Sequence, residues 1–347
     1  MMRNIFSVLF IVTLFYACTP HAYIKVMQPA DVTIPPHIQK IGIINRSLAS
    51  KDDKWLNILE GVLSGESIGA DREGAEQAMN AVKVELERSG RYIVSLPAVT
   101  INGNTANFDS PMDYSLVHDI CQRHNLDGLV SMENFDSNSK INMSLVEEII
   151  KLKDGTTQKV LNNIATANLQ VTTRWRMYDD STKNIVDNYT ASNNKQFNAK
   201  GATPAIAQSG LPYKRNAINQ CGFANGTIYG QRISPYWITI DRRYFKKGSD
   251  NLKLAAKYTK NNNWNEAIAI WKKEMSINPD KEIAGKACYN MAVACERDGN
   301  LQLALEYAQR SATQFSFHKA HSYINQINKR ISDSKTLDYQ MNGANSK

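Results

Sequence analysis

The sequence predicts a mixed-sheet α/β domain followed by an all-α region of helical repeats. Three patterns carry this expectation. Strand-like and helix-like segments alternate between residues 37 and 135 in a β-α-β-α-β order, the signature of a layered α/β architecture. Leu169, Val171, Thr173, Trp175 and Met177 alternate with Gln170, Thr172, Arg174, Arg176 and Tyr178. That period of two gives an antiparallel strand one buried and one wet face. Beyond residue 250 the period becomes helical, and one pattern returns after 37 residues.

The first strand is the apolar run from His37 to Asn45, and a helical segment follows at 54–64. Between Asp71 and Ser89, Ala75, Ala78, Met79, Val82 and Leu86 form one stripe of an amphipathic helix, with Asp71 as its cap and Gly90 at its end. Tyr92–Leu96 reads as a short strand. Ser110-Pro-Met-Asp113 reads as a capped helix start with Pro at the first position, the helix running to His124. Asp127–Phe135 is a strand. Residues 141–160 match neither period, apart from a turn at Asp154-Gly155. Asp179-Asp180-Ser181 turns the alternating strand into a partner at 185–191. In the next helix, 212–232, Gly222, Gly226 and Gly230 recur every fourth residue. Such a ridge suits a membrane dimer face. Asn219, Gln220, Asn225 and Gln231 are too polar for that, so close packing on a sheet or neighbouring helix is expected. Pro235–Ile240 closes the α/β domain, which spans 37–245.

The last third fits the spacing of a tetratricopeptide (TPR) repeat. Leu254, Ala255, Tyr258, Trp264, Ala267, Trp271 and Pro279 make the first register; Met291, Ala292, Cys295, Gly299, Leu301 and Ala304 make the second. The TPR period is about 34 residues, so a short insertion follows Pro279. Small residues sit where the paired helices must approach closely. The TPR-like region covers 248–331, with a capping helix at 317–331, and 332–347 is expected to be a flexible tail.

Lys plus Arg is 41 and Asp plus Glu is 33, a net charge of +8. A mean hydropathy of −0.42 excludes a polytopic membrane protein. Arg3 precedes an apolar run from Ile5 to Tyr16, too short to span a bilayer, so residues 1–17 read as a secretory signal. Ala17-Cys18 resembles the bacterial lipobox, which implies cleavage before Cys18 and lipidation of its thiol. Residues 18–36 then form a lipidated tether. Export permits disulfides among Cys121, Cys221, Cys288 and Cys295. Cys288 and Cys295 lie two helical turns apart, about 10 Å, too far to pair. Whether Cys121 and Cys221 pair is open.

Ile41-Gly-Ile-Ile-Asn-Arg-Ser47, Pro235-Tyr-Trp-Ile-Thr-Ile240, Arg243-Tyr-Phe-Lys-Lys-Gly248 and Ala284-Gly-Lys-Ala-Cys-Tyr-Asn-Met-Ala292 together resemble a Bacteroidota TPR-containing lipoprotein family of unknown function. The resemblance covers nearly all of the chain after Cys18. It implies a cell-envelope location and carries over no catalytic residue. The first half is also similar to the α/β fold of the curli-secretion lipoprotein and to TolB-like envelope domains. In that phylum acidic residues after the lipid cysteine mark surface export; Thr19-Pro20-His21-Ala22 has none, so the periplasmic side of the outer membrane is expected.

The sequence carries no HExxH, CxxC, P-loop or GxGxxG motif. Gly65-Glu-Ser67-Ile-Gly69 matches a nucleophile elbow, but helical spacing precedes it where the elbow needs a strand, so Ser67 is expected not to be a nucleophile. His118 and His124 flank Cys121 on one helix, yet they point about 120° apart and cannot share an ion. His318 and His321 read as solvated surface. No enzyme activity, cofactor or metal is expected. From 241 to 347 there are 18 basic and 11 acidic residues. In an exported chain this favours anionic lipid, glycan phosphate or an acidic protein over nucleic acid. The expected function is a TPR protein-binding adaptor or assembly factor, anchored in the membrane and holding an envelope protein or acidic peptide segment. Lys260, Lys286 and Arg297 are placed around the groove, with Tyr289 and Val293 as apolar contacts. The alternative is a subunit of an envelope secretion or pore assembly, for which 141–178 is the long segment able to supply membrane strands.

Overall fold

A computed structural model of the chain describes residues 20–47, 69–99 and 110–342. The leader at 1–17, Cys18, the helix expected at 54–64 and Ser67 lie outside the described residues. The chain divides into two compact units: Met27–Trp237 with Lys335–Lys347, and Met1–Val26 with Ile238–Ser334.

The first unit is built on a five-stranded mixed sheet with strand order β3-β2-β4-β5-β6. Its strands are β2 (Lys40–Asn45), β3 (Ile93–Ser95), β4 (Gly128–Lys151), β5 (Thr157–Asp179) and β6 (Asn184–Gly201). β2 runs parallel to β3 and β4, while β4–β5–β6 is an antiparallel meander. Ile41, Ile43 and Ile44 leave β2 buried on both faces, as a parallel strand between layers requires. Helix α1 (Ala70–Arg88) and helix α4 (Lys214–Ile233) cover one face, packing Ala75, Ala78, Val82, Leu86, Ile218 and Tyr229 on Val130, Val171, Trp175 and Met177. Helix α2 (Tyr114–His124) covers the other, with Val117, Ile120 and Cys121 against Ile44, Leu129 and Tyr178.

The glycine ridge of α4 meets α1. A Cβ at Gly226 would lie 2.0 Å from the Ala78 carbonyl oxygen, and one at Gly222 would lie 2.3 Å from that of Gly74. The helices therefore touch backbone to backbone, as the spacing predicts. Asn225, on the same helix, donates its amide to the Val171 carbonyl at 3.0 Å and ties α4 to β5. The capping expectations need correction. Gly69, at φ +84°, precedes α1 while Asp71 lies in its first turn, and Asp113, not Ser110, caps α2 by accepting from the Ser115 N–H.

The second unit holds α5 (Asp250–Lys260), α6 (Trp264–Ile277), α7 (Lys281–Arg297) and α8 (Leu301–Thr313), and most of α9 (Ala320–Asn342). Trp264, Ala267, Trp271, Ala292, Ala304, Ala308 and Tyr323 form its core. The mixed-sheet region followed by a helical region is thus observed. Two boundaries differ from expectation. His21–Gln28, within the segment read as a tether, is strand β1, paired with β7 (Tyr236–Arg243) in a two-stranded sheet. Its alternation of buried Ala22, Ile24 and Val26 with exposed Tyr23 and Lys25 is the signal that was there to read. The expected flexible tail is helical as far as Asn342, and Gln340 is 2% exposed. Its side chain accepts from the Ala30 N–H at 2.8 Å and donates to the Ala30 carbonyl at 3.0 Å.

Candidate functional site

The structure does not assemble the expected groove. Tyr289 is 9% exposed and Val293 is wholly buried. Tyr289 packs edge-on against Phe245 with ring centroids 5.0 Å apart, and lies 4.8 Å from Tyr323 of α9. The surface these residues were expected to offer is filled by the chain's own aromatic rings. Burial pushes the Tyr289 hydroxyl up to about 12. Lys286 is paired with Glu282 at 2.7 Å. Arg297 pairs with Asp298 at 2.6 Å and lies over the Trp264 ring, 4.5 Å from its centroid. Eleven residues of helix separate Lys286 from Arg297, a rise of about 16 Å. They cannot meet on one carboxylate. Lys260 is exposed at the end of α5.

A different surface is offered by the long meander. Beyond Asp136 the three strands β4, β5 and β6 continue as a ribbon; period-two alternation sorts its two faces around Lys140–Met143, while at the far end Val146, Ile150, Val160 and Ile164 fall on the polar face and Glu147 and Lys159 on the apolar one. Ile141, Ala167 and Phe197 pair across one face, followed by Met143, Ala165 and Ala199. Lys140, Asn168 and Gln196 pair across the other, followed by Asn142, Thr166 and Asn198. The apolar face prolongs the row of Leu169, Val171 and Trp175 that fills the core. Among the described residues, the short helix α3 (Pro204–Ser209) covers its middle and buries Ala207 against Gly201, where a Cβ would lie 2.4 Å from the Ala207 nitrogen. Leu145 is 61% exposed, Ile149 67% and Leu161 58%. The far end is laced by the ion pair of Lys159 and Glu147 at 2.7 Å, and by Lys200 with Glu148. The opposite, amide-rich face holds a shallow concavity of about 530 Å³ lined by Asn138, Asn168, Gln170 and Asn194.

A family model described as "Domain of unknown function (DUF8603)" matches residues 38–245, which include the whole mixed sheet and the ribbon. The chain belongs to that family. A second model, "Domain of unknown function (DUF6340)", matches residues 253–335, downstream of the DUF8603 region. No curated protein matches the chain. Two PelC dodecamer structures from Paraburkholderia phytofirmans are similar at 9% identity, covering 61% and 62% of this chain and 98% and 99% of that chain. Their TM-scores are 0.22 and 0.21, too low to carry an argument.

The other polar groups singled out in the DUF8603 region are paired or buried within it. His118 hydrogen-bonds Asp180 at 3.0 Å and Cys121 is buried beside Val117 and Ile120. Among the described residues no group of three His, Cys, Asp or Glu could hold a metal ion. Cys121 and Cys221 are both free thiols, which answers the pairing question. A register shift between Met132 and Asn134 brings Glu133 to a buried position, where it accepts from Arg46 at 2.6 Å and from the Tyr178 hydroxyl at 3.0 Å. Local sequence gave no sign of this cluster, because its members come from three strands or strand ends far apart in the chain. Further down the chain, the rings of His318 and His321 stack with centroids 6.4 Å apart.

Proposed function

We propose that the chain is a lipid-anchored cell-envelope protein that acts as an assembly factor or adaptor, holding its partner through the β4–β6 ribbon. The observation that carries this is the set of exposed apolar side chains on the ribbon, Ile141, Met143, Leu145, Ile149 and Leu161 on one face and Val146 and Ile150 on the other. Contiguous exposed apolar surface of this kind marks an interaction site in proteins that otherwise bury it. The helices α5–α8 are read as two TPR repeats that serve as scaffold, since Tyr289 and Val293 are inside. No catalytic role is assigned to any residue. The location proposed is the periplasmic side of the outer membrane, with Cys18 as the anchor.

One feature favours the second reading, a secretion or pore subunit. Eleven residues from Ile141 to Lys151 are long enough for a tilted membrane strand, with alternation at Ile141–Leu145 that breaks at Leu145-Val146, Glu147-Glu148 and Ile149-Ile150. Only 141–167 projects, because Leu169, Val171 and Trp175 belong to the core; Arg174 and Arg176 lie on the polar face, with Arg176 buried. Against a barrel, β4 and β6 both run antiparallel to β5 and so point the same way. Rotationally related copies would then meet in parallel seams, which antiparallel membrane barrels avoid.

The test is the size of the complex extracted in mild detergent, for wild type and a Leu145→Asp, Leu161→Asp variant. The expected result is a defined complex for the wild type and a lone chain for a variant with an unchanged unfolding midpoint. Equal sizes overturn the proposal. A symmetric ring lost in the variant selects the pore reading.

A further inference from the structure

The described chain begins almost at the proposed anchor. Cys18 is two residues from Pro20, a span of at most about 7 Å. Pro20 is itself fixed, because its carbonyl accepts from the Tyr244 N–H at 3.1 Å. Tyr244 is buried, and its hydroxyl accepts from Thr259 at 2.8 Å. A lipid on Cys18 therefore holds the β1–β7 sheet at headgroup level rather than at the end of a long tether.

The outer face of that sheet has a particular composition. The His21 ring hydrogen-bonds Asp241 at 2.7 Å and stacks with Tyr23, which places all three on one face. By period-two alternation Lys25 and Arg243 share that face, and both are exposed. Tyr23 is 72% exposed. Asp241 is the one acid in the two strands, and it hydrogen-bonds the His21 ring. Lys246 and Lys247 follow directly, adding to the positive charge. An exposed tyrosine among basic side chains is the composition found where protein meets the membrane–water interface.

We propose that the outer face of the β1–β7 sheet, with Tyr23, Lys25 and Arg243, lies against the anionic lipid headgroups of the membrane that holds Cys18. This rests on the lipid-anchor reading, and its test separates the two. The probe is the full mature chain carrying Cys18→Ser, floated with vesicles of phosphatidylethanolamine containing about 30% phosphatidylglycerol, and with neutral phosphatidylcholine vesicles. Binding to the anionic vesicles only, weakened by salt, is expected. A Lys25→Glu, Arg243→Glu variant should bind about tenfold more weakly or worse, since each basic residue near an anionic surface contributes appreciably, and Tyr23→Ser should weaken binding further. Equal recovery on both vesicle types, or binding indifferent to salt, overturns the proposal; the salt series on unaltered strands decides even where a variant misfolds. Fatty-acid labelling of the wild type reports on Cys18 separately. A labelled wild type whose Cys18→Ser chain ignores anionic vesicles sinks the headgroup face alone. An unlabelled wild type that still prefers them sinks the anchor and supports the face.

Discussion

The carboxylate of Glu296, wholly buried on α7, is gripped by the guanidinium of Arg242 at the end of β7 through two hydrogen bonds of 2.7 and 2.9 Å. It also accepts from the Tyr323 hydroxyl at 2.7 Å, and Arg330 approaches to 3.5 Å. A strand end and two helices thus converge on one anion. Glu296→Ala leaves two arginines without it and should cost about 3–5 kcal/mol. Arg242→Met combined with Glu296→Leu should lose less than the two single changes summed. Urea unfolding of wild type, Glu296→Ala, the two single changes and the double variant measures both; additive losses would show that the groups do not interact.

Gly226 should not tolerate a methyl group. Gly→Ala inside an ordinary helix gains about 0.5–1 kcal/mol. Here the added Cβ would overlap the Ala78 carbonyl oxygen. Forcing α1 from α4 should instead cost about 1–3 kcal/mol. An unchanged denaturation midpoint for Gly226→Ala would contradict the backbone-to-backbone approach.

Glu274 makes stability depend on acid. Burial raises its pKa, but hydrogen bonds from Ser249, Asn251 and Asn278 outweigh this and hold the carboxyl below its usual value. Its contribution is therefore complete above the ordinary glutamate value of about 4.3 and is lost as pH falls through the folded value. Glu274→Gln should cost about 1–3 kcal/mol at pH 7, with the gap to wild type closing on acidification. A constant gap across a pH series of unfolding curves would refute this.

The end of α9 is structural. Gln340→Ala removes the partners of the buried Ala30 N–H and carbonyl, a loss of about 1–3 kcal/mol. Truncation after Ser334 should lose at least as much. A calorimetric melting temperature equal to that of wild type for either chain would return this segment to the status of a tail.

The four described cysteines should be silent to thiol reagents in the folded protein. Cys121 and Cys288 are pushed by burial to about 12, and Cys295 to about 11, so little thiolate forms at neutral pH. Reagent uptake should await denaturant. Rapid labelling of Cys121, Cys221, Cys288 or Cys295 in buffer would show that the interior opens.

What could be read in the sequence was whatever local periodicity encodes. The α1 stripe, the Gly222–Gly226–Gly230 ridge and the hairpins of α5–α8 were legible because each repeats at its own helical period. The ribbon was not, because Leu145-Val146, Glu147-Glu148 and Ile149-Ile150 break the alternation, and the exposed far end puts little demand on which face is apolar. The groove misled for the opposite reason. Repeat register places Tyr289 and Val293 on the inner helix face, but what covers that face comes from Phe245, Phe317 and Tyr323, which no repeat pattern announces.

The turn at Asp154–Gly155 also sets an order of events as the chain is made. β4 and β5 are neighbours in sequence and can zip from that turn within microseconds, whereas β2 must find β4 in parallel register after closing a long loop. The hairpin therefore exists before the sheet does. It is also finished before α4, the cover for Leu169, Val171 and Trp175, has emerged behind it. For that interval the hairpin carries an apolar face with nothing yet to cover it, and it is the stretch most exposed to aggregation while the chain is being made.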